Sequence, residues 1–200
     1  MKAKLRAWVV LAALIALLCP RASAAFGARG GVTMSWTSEN GPIHEMASSL
    51  WAFQAGFSYR LPLTGLLSLQ GEANLAMKGA SYYSIDHRNE QAVHFDYLEF
   101  PVLLNASYGR FDVFGGPFVA ILVHSTPLGW GNDWSYFNAK LRDVDLGVMV
   151  GLRYFVRSFW FVEARCGLGF VPTVSLPDAP WVSPYRNQTV YLSVGFELGR

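Results

Sequence analysis

The side chains in this sequence that could carry acid–base or metal chemistry are a few histidines and the aspartates near them. Imidazole and carboxylate groups act as general bases and as zinc ligands. The candidates are His44, Asp86, His87, His94, Asp96 and His124. Asp86 and His87 are adjacent, but two neighbouring residues in a polar loop are weak evidence for a metal site. Because no spacing pairs a nucleophile with a base, the sequence predicts a protein that is not an enzyme and needs no metal or cofactor.

A second set of charged residues lies within segments that are otherwise apolar. Its members are Arg29, Arg60, Glu72, Lys78, Glu99, Asp112, Asp145, Arg153, Glu163, Arg165 and Glu197. The two signs nearly balance, which suits a confined interior where an unpaired charge is costly. We therefore predict a structural network of ion pairs inside the fold. One of four cations is expected near Glu99: Arg60, Lys78, Arg153 or Arg165.

Eight segments with a two-residue period must position these charges, because successive side chains of a strand point to opposite faces. They are 26–37, 50–61, 66–78, 97–107, 111–123, 143–155, 159–171 and 189–198. One face of each is mainly Leu, Val, Phe, Trp and Ala, and the other is mainly Gly, Ser, Gln, Asn and the charges. The connections alternate between long and short, with long polar loops at 38–48, 79–94, 124–141 and 172–188. This alternation predicts an antiparallel up-and-down meander. Pro101 cannot donate a ladder hydrogen bond, so we expect a local break there.

Composition indicates which face of this meander is outside. A soluble barrel of the lipocalin type, which would be a ligand-binding protein, should carry many Lys and Glu on its polar face, and here that face has few charges. The opposite face is apolar in strand after strand, and aromatic residues gather near the strand ends, as in interfacial belts. The predicted fold class is therefore all-β: an eight-stranded antiparallel up-and-down transmembrane β-barrel of the outer-membrane type. Eight strands make a narrow barrel, so we expect a polar interior filled by side chains and no open pore.

The first 24 residues have the pattern of a cleaved signal peptide, which leaves 25–200 as the barrel domain. Lys2, Lys4 and Arg6 precede an apolar stretch that is too short to span a bilayer, and Ala22-Ser23-Ala24 is an A-x-A cleavage site. Cys19 raises a lipoprotein alternative, but Leu18 occupies the position where a small residue is needed.

Removal of this segment changes the charge and the cysteine count. Taking Lys2, Lys4, Arg6 and Arg21 from the 16 basic residues leaves 12 against 14 acidic residues, a net charge of −2. No basic patch that would indicate a nucleic-acid partner remains. Cys166 is then the single cysteine, so no intrachain disulfide is expected. The sequence does not indicate an oligomeric state.

Aromatic residues in two of the predicted loops raise a second functional reading. They are Trp130, Trp134, Tyr136, Phe137, Trp181 and Tyr185. Aromatic side chains are enriched at recognition sites, although they also anchor proteins at membrane interfaces. The alternative to a structural protein is therefore a surface ligand-binding or adhesion barrel that uses these external loops.

Four motifs in the middle of the chain resemble the PorT-like family of outer-membrane β-barrel proteins. The segment 97–104, YLEFPVLL, is similar to that family's "YLEIPLLL" strand, and 70–80, QGEANLAMKGA, is similar to its third-strand signature. The segment 114–118, FGGPF, resembles its "aGPy" strand, and 145–147, DLG, resembles its "D-x-G" strand. The resemblance implies a protein of the Gram-negative outer membrane, where some members support type IX secretion and gliding. It implies a non-enzymatic accessory role, with outer-membrane lipids and envelope or secretion-machinery proteins as partners.

Overall fold

The computed structural model describes residues 24–38, 47–84, 89–125, 140–172, 174–175 and 186–199. These residues form ten β-strands. The strands are β1 (Ala25–Ser38), β2 (Ala47–Pro62), β3 (Leu67–Ser84), β4 (Asn89–Tyr108), β5 (Phe111–Ser125), β6 (Lys140–Leu141), β7 (Val144–Phe155), β8 (Trp160–Gly169), β9 (Val174–Ser175) and β10 (Arg186–Leu198). No helix in the described part of the chain is long and apolar enough to cross a membrane.

Eight of these strands close into a barrel, which confirms the predicted fold class. The order around the ring is β1-β10-β8-β7-β5-β4-β3-β2, and β1 closes it by antiparallel pairing with β10 from Phe26–Leu198 to Ser38–Arg186. All neighbours in the ring are antiparallel. Closure leaves no unpaired sheet edge at the seam, which is what a β-structure in a bilayer requires.

The alternating residues of each strand lie on the inner and the outer face of the barrel in turn. Along β8 every second residue is buried, and the residues between them are exposed. The exposed outer residues are large and apolar, as in Phe53, Phe57 and Val150, which are 68%, 72% and 57% exposed. An apolar band of this size would be unusual on a soluble monomer and suits contact with lipid.

The strands on one side of the barrel run further than the sequence predicts. The expectation of a loop over 79–94 is wrong, because β3 and β4 continue as a paired hairpin from Met77–Asp96 to Ser84–Asn89. Polar composition suggests a loop, but an antiparallel ladder beyond the membrane satisfies its backbone groups whatever its side chains are. The predicted loops at 124–141 and 172–188 also contribute the short sheet of β6 and β9, and β10 begins at Arg186.

The expected break at Pro101 is present as a gap in the ladder. Between β3 and β4 the pairs stop at Asn74–Glu99 and resume at Gly71–Val102 in the same register. Between β4 and β5 they stop at Pro101–Phe118 and resume at Leu104–Gly115, and this second gap contains Pro117 of β5, opposite Val102. Proline has no N–H to donate to a ladder, so hydrogen bonds are lost at Pro101 in the first gap and at Pro117 in the second, without a shift of register.

Candidate functional site

All eleven charged residues predicted to form the interior network point into the barrel and are buried. Their exposed fractions run from 0% for Glu99, Asp112 and Arg153 to 7% for Glu72. They share the inner face of the barrel because each occupies an inward position of a strand, where side chains alternate with a two-residue period. A buried charge is tolerated only with partners, so the contacts inside the lumen determine what this interior can do.

The half of the barrel nearest the short turns is closed by two arginines that share acidic partners. Arg60 Nη1 donates to Asp112 Oδ2 at 2.7 Å, and Arg60 Nη2 lies 3.2 Å from Glu197 Oε2. Arg153 Nη1 donates to the same Glu197 oxygen at 3.1 Å. Gln70 Oε1 accepts hydrogen bonds from both arginines, at 3.2 Å from Arg60 Nε and 3.3 Å from Arg153 Nη1. These bonds join β2, β3, β5, β7 and β10 across the lumen.

A second pair of arginines fills the centre of the barrel. Arg165 Nη1 lies 2.6 Å from Glu72 Oε2, and Arg165 Nη2 donates to Glu72 Oε1 at 3.0 Å. Arg29 also pairs with Glu72, and its Nη2 donates to Asn74 Oδ1 at 2.7 Å. Glu163 pairs with Arg165 and links the centre to the turn half through Arg153. Since β8 and β3 are four places apart in the eight-strand ring, the Arg165–Glu72 pair spans the full width of the lumen.

Aromatic rings pack against these cations inside the barrel. The Arg153 guanidinium carbon lies 4.5 Å from the centroid of the Phe161 ring and 5.5 Å from that of Phe114. Arg165 lies 4.9 Å from the Phe114 ring. A cation over an aromatic face is stabilised, more strongly when both are desolvated. The rings therefore fill the lumen and also interact favourably with its charges.

The half of the barrel nearest the long loops contains a separate cluster. Lys78 Nζ lies 2.5 Å from Glu99 Oε1, so the structure places one of the four expected cations beside Glu99. Tyr191 OH lies 3.1 Å from the same oxygen and donates to this carboxylate from the opposite wall. Asp145 lies at this end as well, and its Oδ2 accepts from Asn187 Nδ2 at 3.3 Å.

Several neutral residues of the network were not singled out from the sequence. They are Gln54, Gln70, Asn74, Tyr97, Asn187, Tyr191 and Ser193. Each lies on an inward position of its strand, so for most of them the two-residue period of the sequence could have indicated that they face the lumen. These neutral side chains link strands across the lumen. Gln54 is an example, because its Nε2 donates to Ser193 Oγ at 2.8 Å and so connects β2 to β10.

Three of the predicted chemical candidates, His94, Asp96 and His124, lie at the loop end of the barrel, outside the lumen. Register pairs Asp96 with His124 across β4 and β5, and His94 is two residues further along β4. His124 is exposed, while His94 and Asp96 are half-buried. In the described ranges, no three His, Cys, Asp or Glu side chains converge as a metal site would need. His44, Asp86 and His87 lie outside the described residues.

The aromatic residues proposed for loop recognition lie outside the described residues. They are Trp130, Trp134, Tyr136, Phe137, Trp181 and Tyr185.

In the described part of the barrel, buried side chains occupy the lumen between the mouth at the turn end and the Lys78–Glu99 pair. The largest fully buried ones are Arg153, Arg165, Tyr97, Tyr191, Lys78, Phe155, Leu103, Met149, Gln70, Glu99 and Glu197. A cavity of about 370 Å³ at the turn end is lined by Ala25, Arg60, Pro62, Thr64, Gly65, Leu66, Leu67, Ser68, Ser107, Tyr108, Gly109 and Gly199. Above this mouth the Arg60–Asp112 pair and the bonds of Arg153 cross the interior.

Comparison with protein families agrees with this geometry. A family model described as "Outer membrane protein beta-barrel domain" matches residues 20–175. The chain belongs to this family. Members of this family are outer-membrane β-barrels, so this protein lies in the outer membrane. The alternative of a soluble lipocalin-like barrel is therefore wrong. Its lumen is polar and its outer face apolar, the arrangement that a lipid surround requires.

Solved structures with the same fold are also outer-membrane proteins. The barrel is similar to OprG from Pseudomonas aeruginosa, with a TM-score of 0.51 and 14% identity over 90% of this chain and 98% of that one. It is similar to Ail, the attachment invasion locus protein of Yersinia pestis, with a TM-score of 0.51 and 12% identity over 88% and 99% of the two chains. The Neisserial surface protein A matches with a TM-score of 0.51 and 11% identity over 86% and 97%. No curated protein matches the sequence significantly.

Proposed function

We propose that this protein is a non-enzymatic, non-conducting barrel that serves as a structural or accessory component of the Gram-negative cell envelope. The observation that carries the proposal is the occupied lumen. Arg165–Glu72 and Tyr191–Glu99 each join strands that are four places apart in the eight-strand ring, one pair at the centre and one in the loop half. A lumen crossed by paired side chains leaves no continuous water path, so transport of solutes is not its role.

We further propose which envelope system the barrel supports. The resemblance of 97–104 and 70–80 to PorT-like strands favours a secretion system of the type IX kind. Its partners would then be outer-membrane lipids and envelope or secretion-machinery proteins. We further propose that residues 1–24 direct export and are removed, since they carry the pattern of a signal peptide.

A gene deletion tests this role. Under the proposal, the deletion strain loses export of its secreted proteins, and the intact gene restores it. Mass spectrometry of proteins that co-purify with the barrel from detergent-solubilised outer membranes should identify other envelope components. Normal export in the deletion strain, with no envelope protein enriched over an untagged control, would contradict the accessory role.

A second candidate is a surface-binding barrel. The observation in its favour is the β3–β4 hairpin, whose ladder continues past the last β4–β5 pair, Phe95–Ser125, to Ser84–Asn89. A paired extension on one side of the barrel can support a recognition surface together with the aromatic loop residues. Replacement of Trp130, Trp134, Tyr136 and Phe137 by alanine distinguishes the two functions. Under this second function it abolishes adhesion and leaves export intact, whereas under the accessory role neither changes.

A further inference from the structure

The turn end of the barrel carries exposed positive charge on one part of its rim. The turns at this end are 63–66 between β2 and β3, 109–110 between β4 and β5, and 156–159 between β7 and β8. Arg110 and Arg157 are exposed in the second and third of these turns, and the first turn carries no charge. Since β5 and β7 are neighbours in the ring, the two charged turns are adjacent.

No exposed acid offsets this charge in the described part of the turn end. The acids of the turn half, Asp112 and Glu197, are buried in the lumen, and both pair there with Arg60 and Arg153. The undescribed residues that adjoin this end in sequence, 1–23 and 200, contain no Asp or Glu. The other undescribed segments connect strands at the opposite end of the barrel. The turn end therefore presents positive charge to its surroundings.

Backbone hydrogen bonds hold the two arginines near each other. The amide of Phe155 donates to the carbonyl oxygen of Arg110 at 2.9 Å, and Arg157 follows two residues after Phe155. The amides of Val156 and Arg157 both donate to the carbonyl oxygen of Trp160, at 2.9 and 3.3 Å, so this turn is also hydrogen-bonded within itself. Two long guanidinium side chains therefore start from neighbouring, fixed points of the rim.

Aromatic rings beside these turns indicate the depth of the arginines in the membrane. The ring centroids of Phe111 and Tyr154, which flank the two turns, lie 4.9 Å apart. Phe111 is 48% exposed and Tyr108 is 83% exposed. Exposed aromatic rings of membrane proteins lie at headgroup level, and the short turns of outer-membrane barrels face the periplasm. The two arginines are therefore at the headgroup level of the periplasmic leaflet.

We propose that Arg110 and Arg157 bind the headgroup of an anionic phospholipid of the phosphatidylglycerol class. A guanidinium presents a planar fork of N–H donors that matches the oxygens of a phosphate, and two guanidiniums from adjacent turns hold one phosphate between them. A zwitterionic lipid would bring its own cation, and no described acid at this end is exposed to receive it. The acyl chains of the bound lipid lie along the apolar outer face. The site rests on the location of the barrel in the outer membrane and not on its accessory role.

Native mass spectrometry of the detergent-folded protein tests the site. The protein receives equal amounts of phosphatidylglycerol and phosphatidylcholine with the same acyl chains, and the lipids that stay bound are counted. An arginine near anionic lipid favours binding about five-fold, so the wild-type protein should prefer phosphatidylglycerol about 25-fold. Arg110→Gln and Arg157→Gln should each lower this preference about five-fold, and the double variant should lose it. Arg142→Gln, which changes an exposed arginine at the loop end, is the matched control and should keep the preference.

A heat-modifiable band confirms that each variant is folded before its lipids are counted. Both arginines are exposed, and the hydrogen bond of Arg110 uses its backbone oxygen, so the variants should fold normally. A second arm replaces chloride by inorganic phosphate at equal ionic strength. The bound lipid should remain, because its acyl chains add apolar contact that free phosphate lacks.

Four outcomes would overturn the proposal. They are equal retention of the two lipids by the wild-type protein, a preference that survives in the double variant, an equal loss in Arg142→Gln, and displacement of the lipid by inorganic phosphate. The third would show diffuse attraction between charges, and the fourth would assign the arginines to a free anion. Normal export in the deletion strain contradicts the accessory role alone and leaves the lipid preference of these variants unchanged.

Discussion

Arg153 and Glu163 face each other on neighbouring strands, and Arg153 Nε donates to Glu163 Oε2 at 2.8 Å. Both side chains are almost fully buried, and the pair connects the arginines of the turn half to those of the centre. Loss of one partner from a buried ion pair leaves the other uncompensated. This contact is therefore a sensitive point for the stability of the interior.

Glu163→Gln should destabilise the barrel strongly. The substitution keeps the shape but leaves Arg153 and Arg165 without a shared carboxylate, which should lower the free energy of unfolding by about 3–5 kcal/mol. Urea unfolding of the protein in lipid vesicles, followed by tryptophan fluorescence, measures the change. Asp96→Asn removes an equal charge from the outer side of β4 and is the control, with a loss below about 1 kcal/mol. Equal stability of the two variants would contradict the network.

Glu99→Leu should destabilise the loop half because Lys78 then remains buried without its carboxylate, at a cost of about 3–5 kcal/mol. The double variant Lys78→Met/Glu99→Leu replaces the pair by apolar side chains and should recover most of that loss. The temperature at which the folded band disappears on a detergent gel reports both. Unchanged resistance of Glu99→Leu to heat and detergent would argue against the pairing.

Gly116→Ala should prevent or slow folding, whereas Gly71→Ala should not. A Cβ at Gly116 would lie 2.0 Å from the backbone oxygen of Val102, while at Gly71 nothing lies within 4 Å. Both glycines lie in strands, so the comparison isolates the close approach of β5 to β4 near Pro101. The fraction of protein that gives a heat-modifiable band after refolding is the measurement. A normal folded fraction for Gly116→Ala would show that β4 and β5 are further apart than described.

A spin label on Cys166 should report contact with lipid. Cys166 is exposed on the outer face, at a position that pairs with Val150 and Val190. Its label should therefore collide more with oxygen, which partitions into lipid, than with a water-soluble nickel complex. A label at Ser193→Cys, in a protein whose Cys166 is replaced by alanine, should be shielded from both reagents. Higher nickel accessibility at Cys166 would contradict the assignment of the outer face.

The faces of the strands could be predicted from the sequence because alternation alone determines them. Glu163 and Arg165 are two residues apart, so they must share a face whatever the rest of the chain does. Ala164, the one residue between them, is apolar and belongs to the opposite, lipid-facing side of the strand. The fold class follows from the same period, together with the alternation of long and short connections.

The pairing of the charges could not be predicted in the same way. Arg165 and Glu72 are 93 positions apart and lie on opposite walls, so their contact depends on the register of every strand between them. The continuation of β3 and β4 over 79–94 was also missed, because polar strands outside the bilayer lack the apolar face that makes the others recognisable.

Conductance measurement tests the central claim, that the lumen is closed by paired side chains. The purified, refolded protein is added to planar lipid bilayers, with a general porin as the positive control. The crossing pairs Arg165–Glu72 and Tyr191–Glu99 predict no stable current steps above the leak of the bare bilayer, at any applied voltage that the bilayer tolerates. Reproducible unitary steps from the wild-type protein, absent from a mock purification, would contradict the closed lumen and the accessory role derived from it.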